Sequence, residues 1–321
     1  MLGETNLGLN SASGFQGLEN SPLARAGYYN KIIAKGWEMD FLPQITNTEI
    51  DERITECNQV VQFTRQPDVG AWRHYEKNQE LVPDQVRPDG FCMKICNAKY
   101  KDLKFDKLDI RRICDRWDDF ESSFLDSTYQ TLSAEWRSWT LTAMALEAAA
   151  SNKGAHAGML GDVNLGSPGN PIVIDGNNIA RNVARLQRVL TERFRWEDGQ
   201  MVLVIPAAIR EQFVDSPYAN ALQMGSCVDC SLLVTGQIPG QIGGFDVYST
   251  QSLNSVIDPT TGNPAYFVIA AHRQAFAFAG DILEGELVRP SRYFGIEYQM
   301  LAVWGGKAIL PDAIAVGYWS V

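Results

Sequence analysis

Four of the six cysteines stand in pairs that could do chemistry. Cys227-Val-Asp-Cys230 is a C-x-x-C, the spacing of a redox dithiol or of half a zinc site. Cys92 and Cys96 could add two more thiolates and complete a tetrahedral four-sulfur centre. Little around them supports either use. No thioredoxin-like βαβ context frames Cys227, and there is no second close C-x-x-C. The plainer reading is two small, half-buried residues flanking a turn. Six cysteines in 321 residues do not make a disulfide framework, and in a reducing compartment they are expected as thiols.

The three histidines, His74, His156 and His272, stand apart from one another, and none has the H-E-x-x-H spacing of a zinc protease. His272 follows an apolar run and reads as structural. The nucleophile elbow, the dinucleotide glycine motif and the P-loop are all absent from the sequence. The expectation is therefore no enzyme, with no catalytic residue, no cofactor and no metal. A cytoplasmic dithiol enzyme using Cys227 and Cys230 is the distant alternative. Arg181, Arg185, Arg188 and Arg195 recur at helical spacing and could bind phosphate, pair with acidic residues of a neighbouring subunit, or simply face water. Asp115, Asp118, Asp119 and Glu121 open a long helical segment, where carboxylates complement the helix dipole without any catalytic role.

The elements that position these residues can be read from period and punctuation. Residues 1–56 carry glycines at 3, 8, 14 and 17 and hold no sustained period, so they are expected to form an extended arm. Such a stretch orders only against another surface, here that of a neighbouring subunit. The opening Met1 carries the expectation that no long segment has been cut away. Residues 57–107 read as a long β-hairpin, with strands Gln59–Arg65 and Phe91–Tyr100. Its tip of more than about 20 residues is too long for an idle connection. The tip holds Trp72 and Tyr75 among Arg65, Arg73, Lys77 and Arg87, the composition of an interface anchor.

From Asp115 to Lys153 there is neither Gly nor Pro. Trp117, Phe120, Phe124, Leu132, Trp136, Trp139, Ala143, Leu146 and Ala150 fall at helical steps, which predicts one helix on the order of 50 Å long over about 115–152. Asn178 is the expected cap of a second helix, Ile179 to Arg195. Met201-Val-Leu-Val-Ile205 is wholly apolar and predicts a strand covered on both faces, with Pro206 opening a helix over 207–214. Further strands are expected over 231–235, 245–249, 265–271, 283–288, 294–303 and 314–318.

Certain phrases carry a likeness. They are Gly236-Gln-Ile-Pro-Gly-Gln-Ile-Gly-Gly-Phe-Asp-Val-Tyr-Ser249, Met201-Val-Leu-Val-Ile-Pro206, Tyr266-Phe-Val-Ile-Ala-Ala271 and the closing Val303-Trp-Gly-Gly-Lys-Ala-Ile-Leu-Pro-Asp-Ala-Ile-Ala-Val316. In order and spacing they resemble the tailed-bacteriophage major capsid proteins of the Hong Kong 97-type fold. That resemblance implies an α+β chain with four parts: an N-terminal arm (1–56), an extended loop (57–107), a peripheral domain with a spine helix (108–178 and 264–321) and an axial domain (179–263). It implies self-assembly into hexamers and pentamers of an icosahedral head around double-stranded DNA. The implied partners are a portal, a scaffolding protein and a decoration protein, and the place is the virion, assembled in the bacterial cytoplasm. An encapsulin-type compartment shares the fold and is the nearer alternative. Some members cross-link a loop lysine to a neighbour. Lys77 lies in the tip here, but no asparagine and glutamate match, so that chemistry is not carried over.

The net charge of −10 fits this picture. An acidic chain lacks the clustered cations of sequence-specific DNA binding, yet it can surround DNA without gripping it. No apolar run reaches the roughly 18 residues of a membrane span. Candidate contacts between subunits are Arg65, Trp72, Arg73, Tyr75 and Arg87 in the loop, with Arg181, Arg185 and Arg188 on the second helix.

Overall fold

A computed structural model describes residues 40–47, 60–65, 72–77, 79–83, 89–113, 117–193, 200–214, 216 and 241–321. Most of the expected arm, the strand expected over 231–235, and Cys227, Cys230, Arg87 and Arg195 lie outside the described residues. The chain divides into two compact units. The larger takes Glu38–Ala98, Ser133–Asp281 and Val303–Val321, and the smaller includes Lys99–Leu132 and Ile282–Ala302.

The larger unit is built on a mixed sheet with β5 (Met201–Pro206) inside it. One neighbour of β5 is β7 (Phe245–Thr250), parallel, with Met201 opposite Phe245. The other is β9 (Pro264–His272), antiparallel, with Met201 opposite His272. Beyond β9 lies β12 (Ile314–Ser320), which pairs with it from Ile314 opposite Ala271 to Ser320 opposite Ala265. The short strands β4 (Ile172–Val173) and β6 (Gln241–Ile242) complete the two edges, and β8 (Ser255–Ile257) pairs with the start of β9. The sequence boundary between 263 and 264 thus falls between two hydrogen-bonded strands.

Every residue of β5 is buried, as its unbroken apolar run requires, because both faces of the sheet are covered. Met201, Leu203 and Ile205 point to one side, against Ile179, Val183, Leu186 and Leu190 of the helix Ile179–Arg193. Val202 and Val204 point to the other, into a core with Leu141 and Met144 of the long helix, Phe276, Phe278 and Trp304. Each such aliphatic side chain contributes about 1.5–3 kcal/mol by leaving water. The helix Ala207–Val214 follows β5 at once, on the helix-starting Pro206.

The long helix runs Trp117–Glu147, 31 residues. It ends before the expected 152 because its last turn is pinned from outside. Glu147 Oε2 accepts the Ala308 N–H at 2.6 Å, and the chain leaves through a 3-10 turn, Ala150–Asn152. There the buried Asn152 donates from Nδ2 to the carbonyls of Asp312 and Ile314. The buried face in this unit is Arg137, Thr140, Leu141, Met144 and Ala148. Trp136, Trp139 and Ala143 are partly buried beside it, whereas Leu146, which falls at the same helical steps, is 72% exposed.

β1 (Val60–Arg65) pairs antiparallel with β2 (Asp89–Lys94), from Val60 opposite Lys94 to Arg65 opposite Asp89. The expected second strand of this hairpin, Phe91–Tyr100, is in fact two. It breaks at Ile95 and Cys96, and β3 (Asn97–Asp106) leaves to join β11 in another sheet. The reason is a close approach at Gly305. A Cβ there would stand 2.8 Å from the Lys94 carbonyl oxygen and 2.9 Å from Ile95 Cα, so only glycine lets the strands pass. Asn97 Nδ2 then donates to the Trp304 carbonyl at 3.3 Å.

The smaller unit contains most of β3 and parts of β10 (Phe276–Val288) and β11 (Gly295–Ala308), in the order β10-β11-β3. Phe105 and Tyr298 form its buried core with Leu103, Ile110, Leu125 and Ile296 against them. Phe124 meets Phe105 edge-on at 5.3 Å. The helix Lys107–Ile113 continues from β3, its first N–H donating to the Phe294 carbonyl.

Candidate assembly surfaces

The tip between β1 and β2 is described over 72–77 and 79–83 and contains no strand. Trp72 is fully exposed, and Tyr75, Leu81 and Val82 are exposed with it. Local bonds shape the segment. Arg73 Nη1 donates to the Val82 carbonyl at 3.3 Å. The Glu76 N–H donates to Gln79 Oε1 at 3.1 Å, and the Gln79 N–H returns to the Glu76 carbonyl. The backbone of Arg65 closes β1 opposite Asp89. Four large apolar side chains therefore stand in water on a segment held by a few local bonds.

The arginines of the helix Ile179–Arg193 have separate fates. Arg181 is exposed and has no partner among the described residues. Arg185 donates to Asn182 Oδ1 at 3.0 Å. Arg188 is committed inside its own chain. Its Nη2 donates to both carboxylate oxygens of Asp162, at 2.8 and 3.0 Å, and its Nε to Glu192 Oε1 at 2.6 Å. The Arg188 hydrogen bond holds the Asp162 carboxyl below its ordinary value, while the two carboxylates raise the guanidinium's. Glu192 is lowered too, first by the Met159 N–H it accepts at 2.9 Å and then by Arg188. The helix start is capped differently from expectation. Asp175 Oδ1 accepts the N–H groups of Asn177 and Asn178, while the Asn178 side chain turns back to the Asp175 N–H and the Val173 carbonyl.

Asp258, which carried no signal in the sequence, is fully buried between two loops. Its Oδ1 accepts the Gly169 N–H at 2.7 Å and the Tyr318 hydroxyl at 3.3 Å. Its Oδ2 accepts the N–H groups of Thr260 and Thr261 and the Thr261 hydroxyl. Burial alone pushes such a carboxyl up, but here the donors outweigh it and leave the group below its ordinary value. In the smaller unit, burial and the nearby Glu297 carboxylate push the Tyr293 phenol upward, and the phenol donates to Glu297. Lys104 Nζ lies 3.3 Å from the centre of the same ring.

The candidate chemistry stays scattered. His74 and His156 are exposed, while His272 is buried at the end of β9, where Nδ1 accepts the Gln274 N–H. Cys92 and Cys96 are exposed free thiols. Among the described residues no three His, Cys, Asp or Glu side chains gather as a metal site. No described helix is long and apolar enough to cross a membrane.

No protein-family model matches the chain, and no curated protein is significantly similar to it in sequence. Solved structures do match. The mature capsid of bacteriophage PhiM1 shares 12% identity at a TM-score of 0.62, over 91% of this chain and 90% of that one. The capsid of Ralstonia phage GP4 gives 12% and 0.61, over 92% and 96%. The capsid of the cyanophage P-SCSP1u gives 13% and 0.61, over 92% and 91%. The chain thus has an α+β fold of the Hong Kong 97 type, the fold of these phage capsid proteins.

Proposed function

We propose that this chain is a major capsid protein, a structural protein rather than an enzyme. It assembles with copies of itself into the hexamers and pentamers of an icosahedral phage head that encloses double-stranded DNA. The observation that supports this best is the match of nearly the whole chain to nearly whole capsid subunits, with no large part of either left over. The acidic balance supports enclosure of DNA without sequence-specific grip.

Residues 1–56 serve as the arm and 57–107 as the extended loop, and the peripheral domain (108–178 and 264–321) and the axial domain (179–263) build the plates of the shell. Arg65, Trp72, Arg73, Tyr75 and Arg87 reach a neighbouring subunit from the loop, and Arg181 and Arg185 face a neighbour from their helix, whereas Arg188, expected with them, is taken up by Asp162 and Glu192 of its own chain. A portal, a scaffolding protein and a decoration protein complete the particle, which forms in the cytoplasm of the bacterial host. The test is electron microscopy of the purified protein. Closed shells of uniform diameter with six- and five-fold clusters are expected, and a protein that stays monomeric under all assembly conditions would sink the proposal. Native shells that carry a protein cargo and no DNA would replace the viral reading with an encapsulin-type compartment.

A further inference from the structure

The turn between β10 and β11 gathers cations that its own chain does not answer. Arg289 and Arg292 are exposed and make no hydrogen bond or ion pair among the described residues, and neither does the Lys107 ammonium. Arg289 and Lys107 line a cavity of about 340 Å³ in the smaller unit, a volume within the range of ligand sites. Ile110, Pro290, Phe294 and Ile296 make its walls apolar, and no Asp or Glu stands among its described lining residues. Residues 104–111 and 289–297 together hold five cations and three carboxylates, a positive surplus in a chain whose net charge is −10. Two of those carboxylates are already engaged. Asp106 accepts the Leu108 N–H at 2.8 Å, and Glu297 accepts the Tyr293 hydroxyl.

The turn is fixed before anything binds. The Lys107 N–H donates to the Phe294 carbonyl at 3.1 Å. Gly295 passes β3 so closely that a Cβ would collide with the Phe105 carbonyl oxygen. Tyr293 is tied to Glu297, and Lys104 Nζ lies over its ring. Phe294 is left 83% exposed beside the cavity. A turn already held in this way loses little freedom on binding. Its arginines present planar forks that match a carboxylate. A phosphate backbone would satisfy those forks, but it has no apolar side chain for the walls. A peptide segment with a carboxylate next to an apolar side chain satisfies both. Copies of this chain carry 38 carboxylates against 28 Lys and Arg, so they repel one another except where a cationic site meets an acidic one.

We infer that this cavity receives an acidic segment of a second copy of this chain, with a carboxylate on the arginines and an apolar side chain against Phe294 and Ile110. The inference rests on the proposed self-assembly and names one cationic seat within it. The first test replaces Phe294 with the photo-cross-linker p-benzoylphenylalanine in assembled protein. Irradiation should give covalent dimers on a denaturing gel, and mass spectrometry should place the link on a second copy next to an Asp or Glu. Assembled protein with no dimers, or with links only to its own copy, to DNA or to another protein, would overturn the inference. The second test reverses the charge. Arg289→Glu combined with Arg292→Glu should cut shell yield by about tenfold or more, while the free subunit keeps its melting temperature. Normal yield, shells in full number that hold less DNA, or a free subunit that melts lower would each count against the seat and leave the capsid reading intact. A parent protein that never assembles would overturn both.

Discussion

Asp258 is a buried carboxylate held by backbone N–H groups and two hydroxyls, and that arrangement carries a pH signature. Its folded carboxyl lies below the ordinary value, so the stability it contributes is complete above about pH 4 and is lost as pH falls through the lower folded value. Asp162 and Glu192 shift in the same direction, but they are more exposed and count for less. The free subunit should therefore melt at progressively lower temperature as pH falls below about 4. Asp258→Asn should melt below the parent at pH 7 and show a shallower fall on acidification, which scanning calorimetry across that range would read. An unchanged slope would remove Asp258 from the account. None of this was legible in the sequence, because the Gly169 donor lies 89 residues from the acceptor and only the tertiary fold brings them together. Arg188 illustrates the same limit. The sequence placed it on a charged helix face, but its partner Asp162 is 26 residues away in a loop with no period of its own.

At the scale of elements, the long helix shows where periodicity works and where it misleads. The absence of Gly and Pro and the recurrence of tryptophans announced the helix, and it forms over Trp117–Glu147. Apolar spacing alone does not show that the buried stripe contains Arg137 and Thr140, or that Leu146, at the same spacing, stands in water. Met144→Ala should cost about 2–5 kcal/mol in denaturant unfolding, since Met144 is fully buried in the core between helix and sheet. Leu146→Asp should lie within about 0.5 kcal/mol of the parent. The reverse ranking would mean that the helix packs on its other face. The hairpin of β1 and β2 was legible from alternation, but its break at Ile95 was not, because that depends on a glycine 210 positions further along, Gly305. Its tip makes a separate prediction. A fully exposed Trp72 should do nothing for the isolated subunit and much for the shell. Trp72→Ala should leave the subunit's melting temperature unchanged and destabilise each loop contact in the shell by about 2 kcal/mol or more. A mutant shell as heat-stable as the parent would refute the loop's role as an anchor.

For the whole molecule, the likeness to capsid subunits spans nearly the entire chain at 12 or 13% identity. That is how a fold survives while its surface diverges. The order of apolar phrases from Met201 to Val316 held enough of the core pattern to be recognised, because Val202, Leu203, Val204, Ile269, Ala270, Trp304, Ile314 and Val316 within them are buried in the two core layers of the larger unit. Contact residues follow no such pattern, so the assembly surfaces were much less legible than the core. Deleting residues 1–39 retains every residue of the three described cores, so the truncated protein should be soluble and folded by circular dichroism. It should form few or no closed shells by electron microscopy. Normal shell formation would show that this segment takes no part in assembly.

The place of β12 in its sheet bears on how the chain is made. Residues 314–320 form the last strand in sequence, yet they lie between β4 and β9, and all seven are buried. Its seven residues therefore join the sheet only after β9, their neighbour, has been made, and Ile314 and Val316 reach the layer of Val202 and Val204 from late in the sequence. Pairings of such long sequence separation form late and leave sticky intermediates behind when they fail. A variant that lacks Ile314–Ser320 should expose the edge of β9 and aggregate, which sedimentation would read.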